Sequence, residues 1–348
     1  MTKVFLTGAT GYIGGEVLYQ LLNSKDHQFE VSALVRSQAK ADLLVKKTDG
    51  KVTPILGSLD DLEVIKSAVF DADIVINTAN VDHVPSAQIL SESLLLKKTP
   101  TILIHTSGTS VVGDDLSAVK GPTDEVYSDI SSIAKINSLP DEQPHRPVDK
   151  IILDIQDQNP NVKVAVVCPS TIFGLSNGYD KINSVQIPDL IRYSIKNKQA
   201  FSVYSGAYIW SHIDIKDLGD LYYLILDSFL QKKNIPSGKE GYYFGSYTLE
   251  NETVKAEPSE IEHTWRQVSQ KIADVLLSRG LIPTSEVVDL TPEEIVKLSG
   301  DNFAPYYWGS NSRTRGDNGK KIGFAPKYTT SQRFWDSIEI DLDHILKA

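Results

Sequence analysis

Short apolar runs alternate with amphipathic stretches through the first half of the chain. Lys3–Thr7 reads as a strand, and Tyr12–Asn23 then carries Ile13, Val17, Leu18, Leu21 and Leu22 at helical spacing. The same reading predicts strands at Phe29–Val35, Val52–Leu56, Ile74–Asn77 and Thr101–His105. Helices are predicted between them, over Ala39–Lys47, Leu62–Phe70 and Ser86–Lys97. Strands separated by helices of this length imply right-handed crossovers and a parallel sheet covered on both faces.

The rhythm breaks at Gly113–His145, which is rich in Gly, Pro, Asp and Ser and has no sustained period. An excursion of this length inside a compact domain is usually functional or mobile. Val148–Gln158 resumes as a helix, and the apolar run Val162–Cys168 reads as a strand buried on both faces. Pro169–Tyr179 reads as a loop, Pro188–Asn197 as a helix, Tyr208–Ile213 as a strand and Ile215–Leu230 as a helix. Helices are predicted at Ile261–Ser278, Pro292–Ser299, Ser312–Ile322 and Ser331–Leu346, with no internal repeat. This last third is expected to stack on the sheet's carboxyl edge, where open α/β sheets bind ligands.

Charge narrows the partners. Lys and Arg number 35 and Asp and Glu 45, a net charge of −10, and no basic cluster exceeds pairs such as Lys46-Lys47 and Lys232-Lys233. That argues against nucleic acid as a partner. The one cysteine, Cys168, permits no intrachain disulfide and no Cys-rich zinc site, so no metal is expected. No apolar run approaches the ~18 residues of a membrane span, so no membrane partner is expected. The expected location is cytoplasmic.

The sharpest chemical signal is Thr7-Gly8-Ala9-Thr10-Gly11-Tyr12-Ile13-Gly14-Gly15. Its glycines follow a G-x-x-G-x-x-G spacing between a predicted strand and a predicted helix. Such a turn needs a φ that glycine takes cheaply, a bare backbone facing a pyrophosphate, and close helix–strand contact. The helix N-terminus then offers free N–H groups to phosphate. The plain alternative is a structural strand-to-helix turn.

TGATGYIGG resembles the fingerprint of the extended short-chain dehydrogenase/reductases, and the resemblance extends over most of the chain. That group includes nucleotide-sugar epimerases, carbonyl reductases and NmrA-like proteins that bind the cofactor without known turnover. It implies a doubly wound parallel Rossmann-type sheet with a smaller C-terminal α+β lobe. Residues 1–170 would form the cofactor domain with 205–232 returning to it, and 171–204 and 233–348 the substrate lobe. NAD binding calls for a carboxylate after the second strand, but this strand ends Ala33-Leu34-Val35-Arg36-Ser37. Arg36 is a permanent planar cation suited to a phosphate, with Ser37 and Lys40 able to assist, so the expected cofactor is NADP(H). The alternative is a solvated arginine.

Other segments follow the family in order. Gly57-Ser58-Leu59-Asp60 is similar to the segment that touches adenine, with Ser58 in place of the usual Asp. Asp73-Ile74-Val75-Ile76-Asn77-Thr78-Ala79-Asn80 resembles the strand that lines the cofactor. Cys168-Pro169-Ser170-Thr171-Ile172-Phe173-Gly174 resembles the loop over the nicotinamide. The implied cofactor contacts are Gly8, Thr10, Gly11, Tyr12, Ile13, Gly14, Arg36, Ser37, Ser58, Leu59, Thr78, Ala79, Lys150, Pro169 and Ile172. His212 and Asp217, in a segment similar to one that pins the second lobe, read better as structural hydrogen-bonding residues.

Such enzymes use a Ser or Thr to polarise a carbonyl and a Tyr-x-x-x-Lys pair on one helix face. The lysine brings the tyrosine pKa down and holds the nicotinamide ribose. Counting back from Gly113, Gly108 occupies the usual serine slot, while Ser107 and Thr109 flank it and keep a hydroxyl available. Counting back four from Lys150 gives Arg146, not Tyr. Arginine supplies no proton at physiological pH, although it can bind an anionic group. Pro147 places the helix start near Arg146, with Lys150 in the first turn as the ribose ligand or a plain surface lysine. His145, Tyr127, Tyr179 and Tyr208 are candidates for the missing acid, each more readily explained structurally, and water is another source. Arg313 or Arg315 could reach an anionic substrate, against a solvated basic helix face. Phe303–Trp308 could lid the pocket or pack the lobe.

The reading is an NADP(H)-dependent oxidoreductase acting on a small carbonyl-type substrate, with an atypical active site of Ser107, Thr109, Arg146 and Lys150. The alternative is a catalytically silent NADP(H)-binding sensor with a protein partner. A nucleotide-sugar epimerase is weaker, because epimerisation leans on the tyrosine. Many relatives pair through helices corresponding to Ser86–Lys97 and Val148–Gln158, which makes a homodimer one arrangement to test.

Overall fold

A computed structural model describes residues 1–115, 121–250 and 254–347. Residues 116–120 of the excursion, and 251–253 and 348 of the expected lobe, lie outside the described residues. The first half folds as the alternation predicts. β1 (Thr2–Thr7), β2 (Phe29–Val35), β3 (Val52–Leu56), β4 (Ile74–Asn77) and β5 (Thr101–Thr106) are separated by α1 (Tyr12–Leu22), α2 (Gln38–Lys47), α3 (Leu62–Asp71) and α4 (Val84–Leu95). After β5 come a 3-10 turn (Thr109–Val112), β6 (Tyr127–Ser128), α5 (Ile133–Asn137), α6 (Arg146–Gln158) and β7 (Val162–Pro169). β8 (Thr171–Phe173), α7 (Gln186–Asn197), β9 (Phe201–Val203), β10 (Ile209–Asp214), α8 (Ile215–Leu230) and β11 (Tyr242–Gly245) follow.

Seven strands make one parallel sheet in the order β11-β7-β5-β4-β1-β2-β3. Both faces are buried because the strand side chains are apolar on both. Leu6, Ile76, Ile104 and Val167 pack with Val17, Leu18, Leu221 and Ile225 of α1 and α8. Phe5, Val75, Leu103 and Val166 pack with Val69, Leu90 and Ile152 of α3, α4 and α6. Each such side chain contributes roughly 1.5–3 kcal/mol relative to exposure, which is why propensity and burial agree here. The strand order reverses between β1 and β4, and the crevice above their carboxyl ends is where the glycine turn lies.

The remainder departs from the expectations. Tyr242–Gly245, expected in the lobe, is the seventh strand of the central sheet, so the boundary at 233 is corrected. Ile261–Ser278 is not one helix. β12 (Glu262–Thr264) precedes α9 (Trp265–Ser278), because Thr264 and Gln267 form a capping box. Beyond it run β13 (Val288–Leu290), α10 (Pro292–Ser299), α11 (Ala304–Gly309), β14 (Thr314–Arg315), α12 (Asp317–Lys321) and α13 (Ser331–Ile345). Ser312–Ile322 is likewise a strand and a short helix, and Pro169–Tyr179 contains β8. β10 joins β8 and β12 rather than the central sheet.

The lobe has its own core of Phe173, Trp210, Trp265, Trp308 and Phe334. Arg313 and Arg315 are buried and paired with the Glu262 carboxylate at 2.9 and 3.1 Å, which removes them as substrate ligands. Burial opposes the charge of Glu262, yet both arginines outweigh it and hold the carboxyl at about 2. Asp217 accepts bonds from the backbone of Lys327, Tyr328 and Thr329, a structural role. Among the described residues no helix is long and apolar enough to cross a membrane.

Candidate functional site

The glycine turn shows why its residues are small. Gly8 has φ +79°, and a Cβ there would lie 2.6 Å from Thr78 Oγ1. A Cβ on Gly14 would lie 2.2 Å from the Gly8 carbonyl oxygen, so helix and turn touch backbone to backbone. The Gly11 N–H donates to Gly8 O at 2.8 Å and α1 starts at Tyr12, directing its first N–H groups outward. Thr7 Oγ1 donates to Asn77 Oδ1 and Thr78 Oγ1 to Thr7 O, tying the turn to β4.

A cavity of about 270 Å3 lies on this turn, lined by Gly8, Thr10, Gly11, Arg36, Lys40, Ser58, Leu59, Thr78, Ala79 and Asp180. A second, of about 340 Å3, is lined by Tyr12, Ile13, Thr78, Ser107, Gly108, Thr109, Ser110, Pro169, Ile172, Trp210 and Tyr307. Thr78 borders both, so the two are ends of one groove. A larger cavity, about 540 Å3, lies at the amino ends of the strands around Thr2, Ile74 and Lys163. It is remote from the crevice and we give it no catalytic role.

Most of the implied cofactor residues therefore come together. Bare backbone faces the space a pyrophosphate needs, so the residues fit a dinucleotide. Three placements qualify this. Ser37 caps α2, accepting from Lys40 N at 3.4 Å, and does not line the cavity. Ser58 gives its N–H and hydroxyl to Asp61, at 2.6 and 3.0 Å. Asp180, which sequence reasoning missed, enters from the loop after β8 and pairs with Lys40 at 2.5 Å. Arg36 is exposed, lines the same cavity and forms no ion pair with a described residue.

The opposite end corrects two expectations. Lys150 is 47% exposed and bonded to Asp141 at 2.6 Å, on the solvent face of α6. Arg146 is buried outside the cleft, its guanidinium held by Leu139 O, Asn137 O and Tyr242 OH, so it has no nitrogen left for a substrate. The pair that bonds to cleft-lining hydroxyls from this end of the helix is His145 and Asp149, one residue earlier in register. Asp149 accepts from Ser107 Oγ and Tyr242 OH, both at 2.9 Å. Burial pushes its carboxyl up to about 6. His105 lies 4.0 Å from Asp149 and is held down to about 3 by burial, hence neutral.

His145 ends the turn before α6 with φ +67°, a left-handed conformation. Its Nε2 is 2.6 Å from Ser110 Oγ and its Nδ1 is 2.8 Å from Asp82 Oδ1. A Cβ on Gly108 would lie 2.9 Å from that Nε2, so the glycine in the serine slot leaves room for the imidazole. Ser107 and Thr109 both line the cleft and are nearly fully buried. Tyr127, Tyr179 and Tyr208 do not line it, whereas Tyr307 from α11 does. Trp308 beside it packs the lobe core. Among the described residues no group of three or more His, Cys, Asp or Glu is placed to hold a metal ion.

A family model described as NAD(P)H-binding matches residues 8–104. The oxidase ucsJ of Acremonium sp. is 32% identical over 341 residues, covering 92% of this chain and 93% of that protein. A dTDP-glucose 4,6-dehydratase of Bacillus anthracis, solved in complex with NAD, matches with a TM-score of 0.63 at 16% identity, over 97% of this chain and 96% of that one. A UDP-glucose 4-epimerase of Thermotoga maritima, solved with UDP-glucose, matches with a TM-score of 0.62 at 11% identity, over 99% and 100%. At these identities the structural matches speak for the fold.

Proposed function

The chain belongs to a family of NAD(P)H-binding proteins with the oxidase ucsJ, and we propose that it is an NADP(H)-dependent oxidoreductase of the extended short-chain dehydrogenase/reductase type, acting on small carbonyl-type compounds. The observation that carries this reading is the groove whose two cavities meet at Thr78. One end has the glycine turn and Arg36. The other is a partly enclosed, mainly apolar cleft with a few hydroxyls, the form of a small-molecule site. Bound in this groove, the cofactor supplies hydride. Gly8, Gly11 and the start of α1 hold its pyrophosphate, and Arg36 takes the adenosine 2′-phosphate. Pro169 and Ile172 pack at the nicotinamide end, and Trp210 and Tyr307 close the cleft against water. The oxidase relative favours redox chemistry over epimerisation.

The second reading is a cofactor-binding sensor without turnover. Its support is that Lys150 and Arg146 both lie outside the cleft. One experiment separates the two: NADPH and NADH titrations, then NADPH oxidation against aldehydes, ketones, quinones and conjugated enones. Turnover on any class establishes the oxidoreductase. Tight NADPH binding without turnover moves the weight to the sensor. Arg36→Ala is expected to weaken NADPH at least tenfold and leave NADH unchanged, since a charged hydrogen bond contributes about 1.5–3 kcal/mol. Equal losses for both would remove Arg36 from the 2′-phosphate.

A further inference from the structure

We propose that Ser110, His145 and Asp82 form a proton relay into the cleft, with the Ser110 hydroxyl touching the reacting carbonyl oxygen, His145 its proton source and Asp82 positioning the imidazole. The inference rests on the oxidoreductase reading and supplies the acid that the missing tyrosine leaves open.

Three segments converge on one line of contacts. Ser110 belongs to the 3-10 turn after β5 and lines the cleft. His145 Nε2 lies 2.6 Å from its Oγ, and Asp82, from the turn after β4, lies 2.8 Å from Nδ1. A carboxylate only accepts, so Asp82 fixes the proton on Nδ1 and leaves Nε2 as the nitrogen that gains and loses a proton. Burial opposes the charge of Asp82, but the hydrogen bonds and charge of His145 outweigh it and hold that carboxyl below the usual range. The carboxylate is therefore ionised when the imidazole is protonated.

The site is built for this imidazole. His145 sits at the N-cap of α6 but its side chain makes no capping bond, so capping does not explain its orientation. Its positive φ costs about 1 kcal/mol or more, a strain of the kind found at functional sites. Gly108 clears the space that any side chain would take from Nε2. Four other cleft hydroxyls are engaged elsewhere: Ser107 donates to Asp149, Tyr12 to the Gly174 carbonyl at 2.6 Å, Thr78 to the Thr7 carbonyl and Ser170 to the Gly245 carbonyl, whereas only Ser110 is joined to an imidazole.

In the reductive direction the proton path balances. As hydride adds to the substrate carbon, the carbonyl π bond breaks toward oxygen. Ser110 gives its hydroxyl proton to that oxygen, and imidazolium Nε2–H returns one to Ser110 Oγ. The products are the alcohol, NADP+ and neutral His145, which solvent reprotonates beside half-exposed Asp82. The charged and titratable groups facing His145 are Asp82, neutral His105 on β5 and Asp149 on α6. Reduction consumes a proton through this relay and therefore accelerates at lower pH, and oxidation, which releases one, accelerates at higher pH.

The test compares the full-length chain with Ser110→Ala, His145→Gln and their double variant. Phenanthrenequinone, benzaldehyde and a conjugated enone serve as carbonyl probes. We expect kcat to fall 10²–10⁴-fold in each single variant, with no further loss in the double, while NADPH affinity stays within about twofold. The wild-type pH limb should vanish in His145→Gln. Independently of turnover, 15N NMR of the histidine rings should show neutral His145 protonated on Nδ1, and a larger Nε2–H population in Asp82→Asn. Wild-type turnover with His145→Gln within threefold of it, or a limb that persists in that variant, overturns the relay and leaves the oxidoreductase standing. Neutral wild-type His145 protonated on Nε2 also overturns it. A wild type that binds NADPH yet oxidises it with none of the probes overturns the oxidoreductase, and the relay with it.

Discussion

The two ends of the groove are built on opposite principles. At the glycine end the nine consecutive residues Thr7–Gly15 do most of the work, and their tightest contacts are with backbone atoms: Gly14 against Gly8 O, Gly11 N–H to Gly8 O. At the other end every functional contact joins distant segments: Ser110 with His145, His145 with Asp82, and Ser107 with Asp149. The first end tolerates little because backbone cannot move aside. The second is built around a glycine and a histidine, whose contacts are made by side chains that meet only through tertiary packing.

The largest effect expected from breaking this contrast is at Gly14. An alanine Cβ would sit 2.2 Å from Gly8 O and 2.4 Å from Thr78 Oγ1, so Gly14→Ala must shift the turn itself. It should weaken NADPH more than 100-fold and destabilise the fold by roughly 1–3 kcal/mol, read by titration and thermal melting. Near-normal affinity would show that the turn is not the phosphate cradle.

Gly108→Ser sharpens the comparison from the other side. Restoring a side chain 2.9 Å from His145 Nε2 pushes the imidazole off Ser110. Turnover should fall about 10–100-fold while NADPH affinity holds. Unchanged turnover would mean the imidazole's place is immaterial.

Asp149 tests the stability given up at the cleft end. Its carboxyl titrates at about 6 in the fold, against an unfolded value near 3.8. Because the folded value is raised, its contribution is intact below about pH 4 and is lost as pH rises through 6. The loss is on the order of 2–3 kcal/mol. Melting curves from pH 4 to 8 should show Asp149→Asn losing less stability over that window than the wild type. Parallel curves would reject the assignment.

The smallest effect is expected at Lys150. An exposed ion pair contributes about 0–1 kcal/mol, so Lys150→Ala should leave NADPH affinity, turnover and melting temperature nearly unchanged. A tenfold loss in NADPH affinity would return the lysine to the ribose.

Legibility in the sequence follows the same division. The sheet's first five strands and their helices were readable because apolar spacing along each segment fixes its buried face. The glycine turn was readable because its needs are local backbone geometry. Tyr242–Gly245 escaped because it follows the polar stretch 231–241 and lies outside the strand–helix alternation that marked the equally short Ile74–Asn77. The buried Glu262, Arg313 and Arg315 cluster escaped because charge reads as surface until the opposite charges are shown to meet. A Thr264…Gln267 capping box was present in the sequence and would have placed the start of α9.

By itself the sequence determined the α/β alternation, the glycine turn, the absence of a carboxylate after β2 and, through Pro147, the start of α6 near Arg146. It did not determine how α6 is rotated. One residue of helix is about 100° of turn, and the difference between Lys150 and Asp149 facing inward is one residue. Packing of Val148, Ile152 and Ile155 into the sheet's core settles that rotation, sending Asp149 inward and Lys150 to solvent. The same packing brings His145 to Ser110 across 35 residues and to Asp82 across 63. Local spacing carries no information about contacts of that range, so the sequence could name Ser107 and His145 as candidates, but their pairing at the cleft end belonged to the tertiary structure alone.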